Sequence, residues 1–159
     1  MNQPLFHIAL FEPEIPQNTG NIGRLSLGTG AMLHLIHPLG FQIDQKAVRR
    51  AGLDYWSSVQ LKEHQDQHHF WEWIHQNNIR PILFSTKAKQ SYSEFSFKEG
   101  DLLLFGPETR GLPELLFEQY DTVRIPMHSK IRSLNLSNAV AVASYGLLQK
   151  INPPFFGVT

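Results

Sequence analysis

Three short segments of this sequence collect residue types that could bind a polar ligand. The first, residues 18–24, reads Asn-Thr-Gly-Asn-Ile-Gly-Arg, and the second, residues 105–111, reads Phe-Gly-Pro-Glu-Thr-Arg-Gly. The third is a polar, basic loop between Ile125 and Asn138. A loop pinned between regular elements presents backbone N–H and C=O groups in fixed positions, as a small polar ligand requires. Taken singly, each segment could equally be a turn with a helix cap. Together they predict a site.

Strand and helix patterns alternate along the chain and would position these loops. Short apolar runs predict strands at residues 5–11, 32–36, 81–85, 102–105 and 122–125. Helical patterns predict helices from a cap at Asn18 or Thr19 to about Leu27, at 45–51, from Phe70 to about Asn77, at 113–117, and from a cap at Asn135, Ser137 or Asn138 to Pro153. This alternation predicts an α/β fold with a parallel sheet covered by helices on both faces. All three loops then meet at the carboxyl edge of the sheet, where ligands bind.

Two further patterns concern helices. Residues 139–143 read Ala-Val-Ala-Val-Ala, so the last helix begins apolar on every side. Such a helix must be covered all round, which places it in the centre of the molecule or in a subunit interface.

The Gly28-Thr29-Gly30 triplet follows a helix and precedes a strand, the reverse of a dinucleotide-binding loop, and we interpret it as a helix C-cap.

Length and composition narrow the class of protein. With 159 residues, 42% of them hydrophobic, we expect one domain spanning residues 1–159. The sequence has no cysteine and no signal-peptide pattern, so we expect a cytoplasmic protein. No apolar run approaches the ~20 residues that span a bilayer, so we expect no membrane partner. His64 and His68 have the spacing of a metal pair, but the segment is polar and lacks a zincin glutamate, so we expect no metal.

The net charge gives no argument for nucleic acid, since Lys+Arg and Asp+Glu both number 14. Local basic clusters do support nucleic-acid binding. They are Lys46, Arg49 and Arg50 on one predicted helix, Lys87 and Lys89, and Arg124, Lys130 and Arg132 around the third loop.

The three segments resemble the three motifs of the SPOUT-superfamily RNA 2′-O-methyltransferases. The matching residues are Asn18-x-x-Gly20-Asn21-x-x-Arg24, Gly106-Pro107-Glu108-x-Arg110-Gly111, and Ile125-Pro126-Met127 with Arg132-Ser133-Leu134-Asn135-Leu136-Ser137-Asn138-Ala139. Residues 12–21 and 52–55 resemble the small members that methylate the wobble nucleotide, cytidine or modified uridine 34, of leucine tRNAs. The resemblance runs from about residue 6 to 151. It implies a parallel-sheet α/β-knot fold with a C-terminal trefoil knot, S-adenosylmethionine as cofactor, the tRNA anticodon stem-loop as substrate, and a homodimer.

By position, the resemblance also implies roles for single residues. The implied cofactor contacts are Phe84, Gly106, Ile125, Met127, Ser133, Leu134 and Asn138. The resemblance implies a catalytic role for Arg24. We expect Asn21 and Tyr145, which could reach the substrate from the last helix, as further catalytic residues. As RNA-binding residues, in the three segments and the basic clusters, we expect Asn18, Lys46, Arg49, Arg50, Glu108, Arg110 and Arg132. A different tRNA or rRNA target, and a non-catalytic RNA-binding module, are the alternatives.

Two of these residues invite a chemical interpretation. A guanidinium stays protonated at neutral pH and is a poor base, so we interpret Arg24 as a cation that orients the 2′-hydroxyl or a neighbouring phosphate and stabilises developing negative charge. Asn21 could hold Arg24. Glu108 is the only carboxylate in the three loops, and it orders Arg24 or Arg110, or is a solvent-facing turn residue.

Overall fold

The computed structural model describes residues 3–44 and 46–157. Its framework is one parallel sheet with strands β1 (Phe6–Phe11), β2 (Ala31–Ile36), β3 (Leu61–His64), β4 (Pro81–Phe84), β5 (Gln90–Ser91), β6 (Leu102–Phe105) and β7 (Thr122–Arg124). The strand order is β3-β2-β1-β6-β4-β7-β5, and every neighbouring pair is parallel.

The described residues also form four α-helices and four short 3₁₀ segments, and the last of each follows β7. The helices are α1 (Pro16–Thr29), α2 (Lys46–Gly52), α3 (Gln67–Gln76) and α4 (Leu136–Ile151). The 3₁₀ segments are Leu53–Ser58, Tyr92–Glu94, Glu114–Glu118 and Pro153–Phe156. No helix among the described residues is long and apolar enough to cross a membrane.

The sheet is buried on both faces, as its apolar strands predict. Alternate residues of β1 belong to opposite hydrophobic clusters. Ile8 packs in one cluster with Ile22 of α1 and Val140 of α4. Phe11 packs in the other with Phe70 of α3. The predicted parallel α/β fold with helices on both faces is therefore confirmed, whereas the trefoil knot stays a prediction.

Several predicted element boundaries are wrong, each for a local reason. β3 and β5 are not predicted, because β3 is a four-residue edge strand containing Lys62 and Glu63, and β5 has only two residues. The predicted helix at 113–117 is a 3₁₀ segment of five residues, too short for a stable α-helix. Helix α2 begins at Lys46, and the predicted start at Gln45 lies outside the described residues.

The two ends of α1 compare differently with the prediction. Gly30 adopts φ +79° and ends the helix, so the predicted glycine C-cap is confirmed. The N-cap predicted at Asn18 or Thr19 is wrong. The N-cap is Ile15, with Pro16 in the first turn, and Asn18 lies buried inside the helix.

Three buried histidines on neighbouring strands form a hydrogen-bonded chain beneath Trp73. Nδ1 of His7 lies 2.9 Å from Nε2 of His34, and Nδ1 of His34 lies 2.9 Å from Nε2 of His64. Burial lowers the pKa of His7 and of His64 to about 4 and that of His34 well below its ordinary value. His64 therefore belongs to the sheet, while His68, its partner in the metal-pair spacing, is exposed.

This histidine chain predicts a pH-dependent stability. In the unfolded chain the pKa of histidine is near 6.5, so unfolding takes up protons wherever the folded pKa is lower. Stability is therefore full above about pH 7 and falls as the pH approaches 4. We expect the free energy of unfolding to drop by about 2 kcal/mol for each of His7 and His64 between pH 7 and pH 5.

Urea unfolding at the two pH values measures this drop. The control is His75→Gln, which replaces an exposed histidine and is expected to leave the pH dependence unchanged. An unfolding free energy that is flat between pH 7 and pH 5 contradicts the prediction.

Candidate functional site

A cavity of about 500 Å³ lies at the carboxyl ends of β4 and β6. Phe84 and Phe105, the last residues of these strands, stack with ring centroids 4.7 Å apart in its wall. The volume is typical of small-molecule sites. The residues singled out from the sequence that line it are Asn18, Phe84, Gly106, Glu108, Arg110, Ile125, Met127, Arg132, Ser133 and Leu134. The expectation that the three segments meet at this edge therefore holds for these residues.

Glycines shape the loop that follows β6. A Cβ atom on Gly106 would lie 2.4 Å from the carbonyl carbon of Gly111 and 2.5 Å from the backbone nitrogen of Leu112. The loop thus folds back onto its own backbone, an approach that only glycine permits. Gly111 makes the return with φ +69°. The backbone itself forms this part of the cavity wall.

Glu108 joins this loop to the start of α1. Its carboxylate accepts hydrogen bonds from the backbone N–H groups of Glu14 (2.8 Å) and Ile15 (3.0 Å) and from the amide of Asn18 (3.1 Å). Ile15, the N-cap residue, has no side-chain acceptor for the N–H groups at the start of the helix. The Glu108 carboxylate supplies this acceptor. The prediction that Glu108 orders Arg24 or Arg110, or faces solvent, is wrong.

Glu14 returns the contact in the opposite direction. Its carboxylate accepts hydrogen bonds from the backbone N–H and the hydroxyl of Thr109, both at 2.8 Å. These hydrogen bonds, with the nearby Arg110 guanidinium, lower the pKa of Glu14. Arg110 also lies 3.3 Å from a carboxylate oxygen of Glu12. The segment before α1 and the second loop are thus cross-linked by reciprocal carboxylate contacts.

Asn18 extends the link to the third loop. Its side-chain oxygen accepts a hydrogen bond from Nδ2 of Asn135 at 3.2 Å. Oδ1 of Asn135 in turn accepts hydrogen bonds from the backbone N–H groups of Ser137 and Asn138 and caps α4. Of the three predicted caps, Asn135 is therefore the correct one. A single buried amide therefore couples all three loops.

Sequence reasoning missed some participants. Glu14 and Thr109 are not among the predicted site residues, and Asn135 is predicted only as a helix cap. The available signal for Asn135, which itself lines the cavity, was its place in the third motif directly after Leu134. No local signal identifies Glu14 and Thr109, because they meet across 95 residues of sequence.

Other predicted site residues lie outside the cavity wall. They are Asn21, Arg24, Lys46, Arg49, Arg50, Asn138 and Tyr145. Arg24 follows Asn18 by six residues, and at 100° per residue its side chain leaves α1 about 120° away from that of Asn18. Asn21 and Arg24 form no hydrogen bond in the part of the chain that the structure describes, so Asn21 does not hold Arg24 as expected.

Helix α4 is covered on one side only. Val140, Ala143 and Leu147 are fully buried, whereas Val142 and Tyr145 are 38% and 42% exposed. A central position in a single chain, one of the two predicted places for this helix, is therefore wrong. The exposed surface continues into the aromatic side chains of the last 3₁₀ segment, Phe155 and Phe156.

The contacts of Glu108 predict a stability effect. In Glu108→Gln, the new NH₂ group would face N–H groups that now donate hydrogen bonds to the Glu108 carboxylate. At least one of these N–H groups would then have no acceptor. We expect the free energy of unfolding to fall by about 1–3 kcal/mol, measured by urea denaturation. Glu99→Gln is the matched control, because Glu99 is exposed and makes no hydrogen bond within residues 3–44 and 46–157. Equal stability of the two variants contradicts the proposed capping.

Comparison with known proteins connects this site to a family. The profile of the SpoU rRNA methylase family matches residues 5–145. The chain belongs to this family. A tRNA (cytidine(34)-2′-O)-methyltransferase of Photorhabdus asymbiotica is 48% identical over 147 residues, which cover 89% of this chain and 91% of the relative. The resemblance inferred from the three motifs is therefore confirmed.

Solved structures of SpoU-type proteins share the fold. One, described as giving insights into 2-OH methylation of C/U34 on tRNA, is 45% identical with a TM-score of 0.88, covering 92% of this chain and 96% of its own. The SpoU methyltransferase AviRb of Streptomyces viridochromogenes, in complex with AdoMet, superposes with a TM-score of 0.82 at 24% identity, covering 99% of this chain and 61% of its own. This second similarity shows the fold alone.

Proposed function

We propose that the protein transfers the methyl group of S-adenosylmethionine to the ribose 2′-hydroxyl of the wobble nucleotide, position 34, of a tRNA. The observation that carries this proposal is the convergence of three family motifs on one cavity through Asn18. The 48% identity to a tRNA (cytidine(34)-2′-O)-methyltransferase supports the choice of nucleotide. The substrate is the anticodon stem-loop of leucine tRNAs carrying cytidine or modified uridine at this position, and the enzyme works in the cytoplasm, where these tRNAs are used.

The cavity fits the cofactor in size and character. Its wall combines the stacked rings of Phe84 and Phe105 with the exposed backbone around Gly106. Such a wall offers an apolar surface to an adenine ring and backbone groups to polar edges. Ile125, Met127, Ser133 and Leu134 complete the proposed contacts from the cavity wall, and Asn138, at the start of α4 outside the wall, stays a proposed contact. When bound, S-adenosylmethionine supplies an electrophilic methyl group on a sulfonium.

The protein's own contribution is mainly alignment. Displacement at the methyl group needs sulfur, carbon and the 2′-oxygen in line, so the rate depends on positioning. The hydroxyl must also lose or share its proton as the bond forms. Arg24 orients the hydroxyl or an adjacent phosphate and stabilises developing alkoxide charge with its N–H groups.

A second copy of the chain is needed to complete this arrangement. Arg24 and Tyr145 lie outside the cavity wall of their own chain, and α4 leaves an apolar face exposed. We infer a homodimer that covers Val142, Tyr145, Phe155 and Phe156. Most soluble oligomers are symmetric assemblies of this kind. Sedimentation equilibrium at micromolar concentration tests the dimer, and a monomer under these conditions contradicts it.

The basic face of α2 predicts how RNA binding responds to salt. Lys46, Arg49 and Arg50 are all exposed on this helix, which packs against α1. Phosphate contacts release counterions, so we expect RNA affinity to fall steeply as salt rises, whereas cofactor affinity changes little. Fluorescence anisotropy for RNA and calorimetry for cofactor, each at two salt concentrations, measure the two slopes. Equal slopes contradict this division of the surface.

Methyl incorporation from labelled S-adenosylmethionine tests the proposed function directly. The substrate is total tRNA from cells lacking the enzyme, followed by nucleoside mapping. We expect a 2′-O-methylated nucleotide at position 34. Label at another tRNA or rRNA position would support a SPOUT methyltransferase with a different target. RNA binding without methyl transfer would support a non-catalytic RNA-binding module.

A further inference from the structure

The ring of Tyr55 lies beside the guanidinium of Arg24. The distance from Cζ of Arg24 to the ring centroid is 5.6 Å, within the range of a cation–π contact. Tyr55 comes from the 3₁₀ segment Leu53–Ser58, outside the three motifs, and is 49% exposed. We propose that Tyr55 is a positioning residue whose ring face holds the Arg24 guanidinium in the orientation that methyl transfer requires. This inference rests on the role given to Arg24 in the proposed function.

The adjacent residues fix the geometry of this pair. Trp56 is partly buried and packs on Gly23, so tightly that a Cβ atom on Gly23 would lie 2.4 Å from the indole ring. The backbone N–H of Val59 donates to the carbonyl of Trp56 at 3.1 Å and closes the segment. Gly23–Trp56 and Arg24–Tyr55 are therefore consecutive contacts between the same two elements. The backbone at Tyr55 is held against α1 through its neighbour, while the Tyr55 ring is half exposed.

Arg24 lacks the partners that usually order a guanidinium. Within the described residues it forms neither a salt bridge nor a side-chain hydrogen bond. Glu12 and Glu14, the acidic residues just before α1, have Arg110 as their ion-pair partner. A free arginine side chain loses rotamer entropy on reaching one geometry. Contact with the Tyr55 ring removes part of that freedom before substrate arrives.

An aromatic face suits this role better than a carboxylate would. A carboxylate would occupy two N–H groups and neutralise the charge that must face the substrate. A ring face contacts the guanidinium without consuming its N–H donors, which remain available to a ribose hydroxyl or a phosphate. The ring contact therefore restricts the orientation of the Arg24 guanidinium while its N–H donors stay available to the substrate.

A competing role for Tyr55 is direct stacking on an RNA base, since exposed aromatic rings beside basic helices bind single-stranded RNA in this way. The two roles predict effects on different measured quantities. A positioning ring acts through Arg24 and changes the rate at saturating RNA. A stacking ring acts on RNA affinity and does not depend on Arg24.

The experiment is a double-mutant cycle with Tyr55→Leu and Arg24→Ala, with Tyr55→Phe as the conservative variant. Methyl transfer is measured in single turnover at saturating cofactor and tRNA, and the dissociation constants of both ligands are measured separately. We expect Tyr55→Leu to lower the rate by about two- to fivefold and Tyr55→Phe to keep it near wild type, because the ring face is retained. Both dissociation constants should stay unchanged. In the Arg24→Ala background, Tyr55→Leu should have no further effect.

Other outcomes overturn the proposal in distinguishable ways. Weaker tRNA binding with a wild-type rate at saturation would assign the ring to base stacking. An equal rate loss in both backgrounds, or Tyr55→Phe as slow as Tyr55→Leu, would exclude action through the ring face on Arg24. If Arg24→Ala itself transfers methyl at the wild-type rate, the role of Arg24 in the proposed function fails, and this inference with it. Tyr55→Gln repeats the test if Tyr55→Leu is insoluble.

Discussion

Arg24→Ala is expected to lower the single-turnover rate of methyl transfer by about a hundred- to a thousandfold. The loss corresponds to about 3–4 kcal/mol, typical of a charge-assisted contact made mainly in the transition state. Cofactor affinity should remain close to wild type, because Arg24 is outside the wall of the cavity that holds the proposed cofactor contacts. Single-turnover methylation and calorimetric binding of S-adenosylmethionine, measured on the same preparations, give both quantities.

Arg24→Lys separates two explanations of that loss. Lysine keeps the positive charge but has no planar fork of N–H donors. Substantial recovery of the rate would indicate that charge alone is sufficient, and no recovery would indicate oriented hydrogen bonding. If Arg24→Ala loses cofactor binding as completely as it loses activity, the assignment of Arg24 to the substrate side is wrong.

The position of the cavity could be predicted because it follows from sheet geometry. Residues after parallel strands meet at one edge whatever the details of the helices, and Phe84, Gly106 and Ile125 each follow or end such a strand. The cap at Asn135 could be predicted for a similarly local reason, since its side chain bonds residues two and three positions ahead.

The contacts between the loops could not be predicted, because they depend on residues far apart in sequence. A helix start needs acceptors for its first N–H groups, and the nearest candidate in sequence was Asn18. The acceptor is Glu108, 93 residues away from Ile15. Because Glu108 supplies the acceptor at the helix start, Asn18 lies buried inside α1 and accepts a hydrogen bond from Asn135. One long-range carboxylate thus changes the role of a residue in another motif.

The positions of Arg24 and His64 show two other limits of sequence patterns. Motif spacing places Arg24 near Asn18 in sequence, but helical rotation separates their side chains. His64 could not be assigned to the buried histidine chain because its strand, β3, is too short and polar to be recognised. Its partner His34 lies 30 residues earlier on β2.

Gly106→Ala is expected to weaken S-adenosylmethionine binding by about ten- to a hundredfold. The added methyl group would meet backbone atoms of Gly111 and Leu112 at 2.4–2.8 Å, and backbone cannot rotate away as a flexible side chain can. The loop after β6 must therefore move, and its backbone forms part of the cavity wall. Isothermal calorimetry with the cofactor measures the effect, and circular dichroism establishes that the variant is folded.

Gly28→Ala provides the matched control for this substitution. It makes the same chemical change in the last turns of α1, where a Cβ atom would meet nothing within 4 Å. There alanine should stabilise the fold by up to about 1 kcal/mol, because it favours helix over glycine, and cofactor affinity should stay at the wild-type value. The two variants thus separate the general effect of a methyl group from its effect on the close approach at Gly106. Wild-type cofactor affinity in Gly106→Ala would show that the loop tolerates the methyl group, and its backbone could then not be the surface that the cofactor contacts.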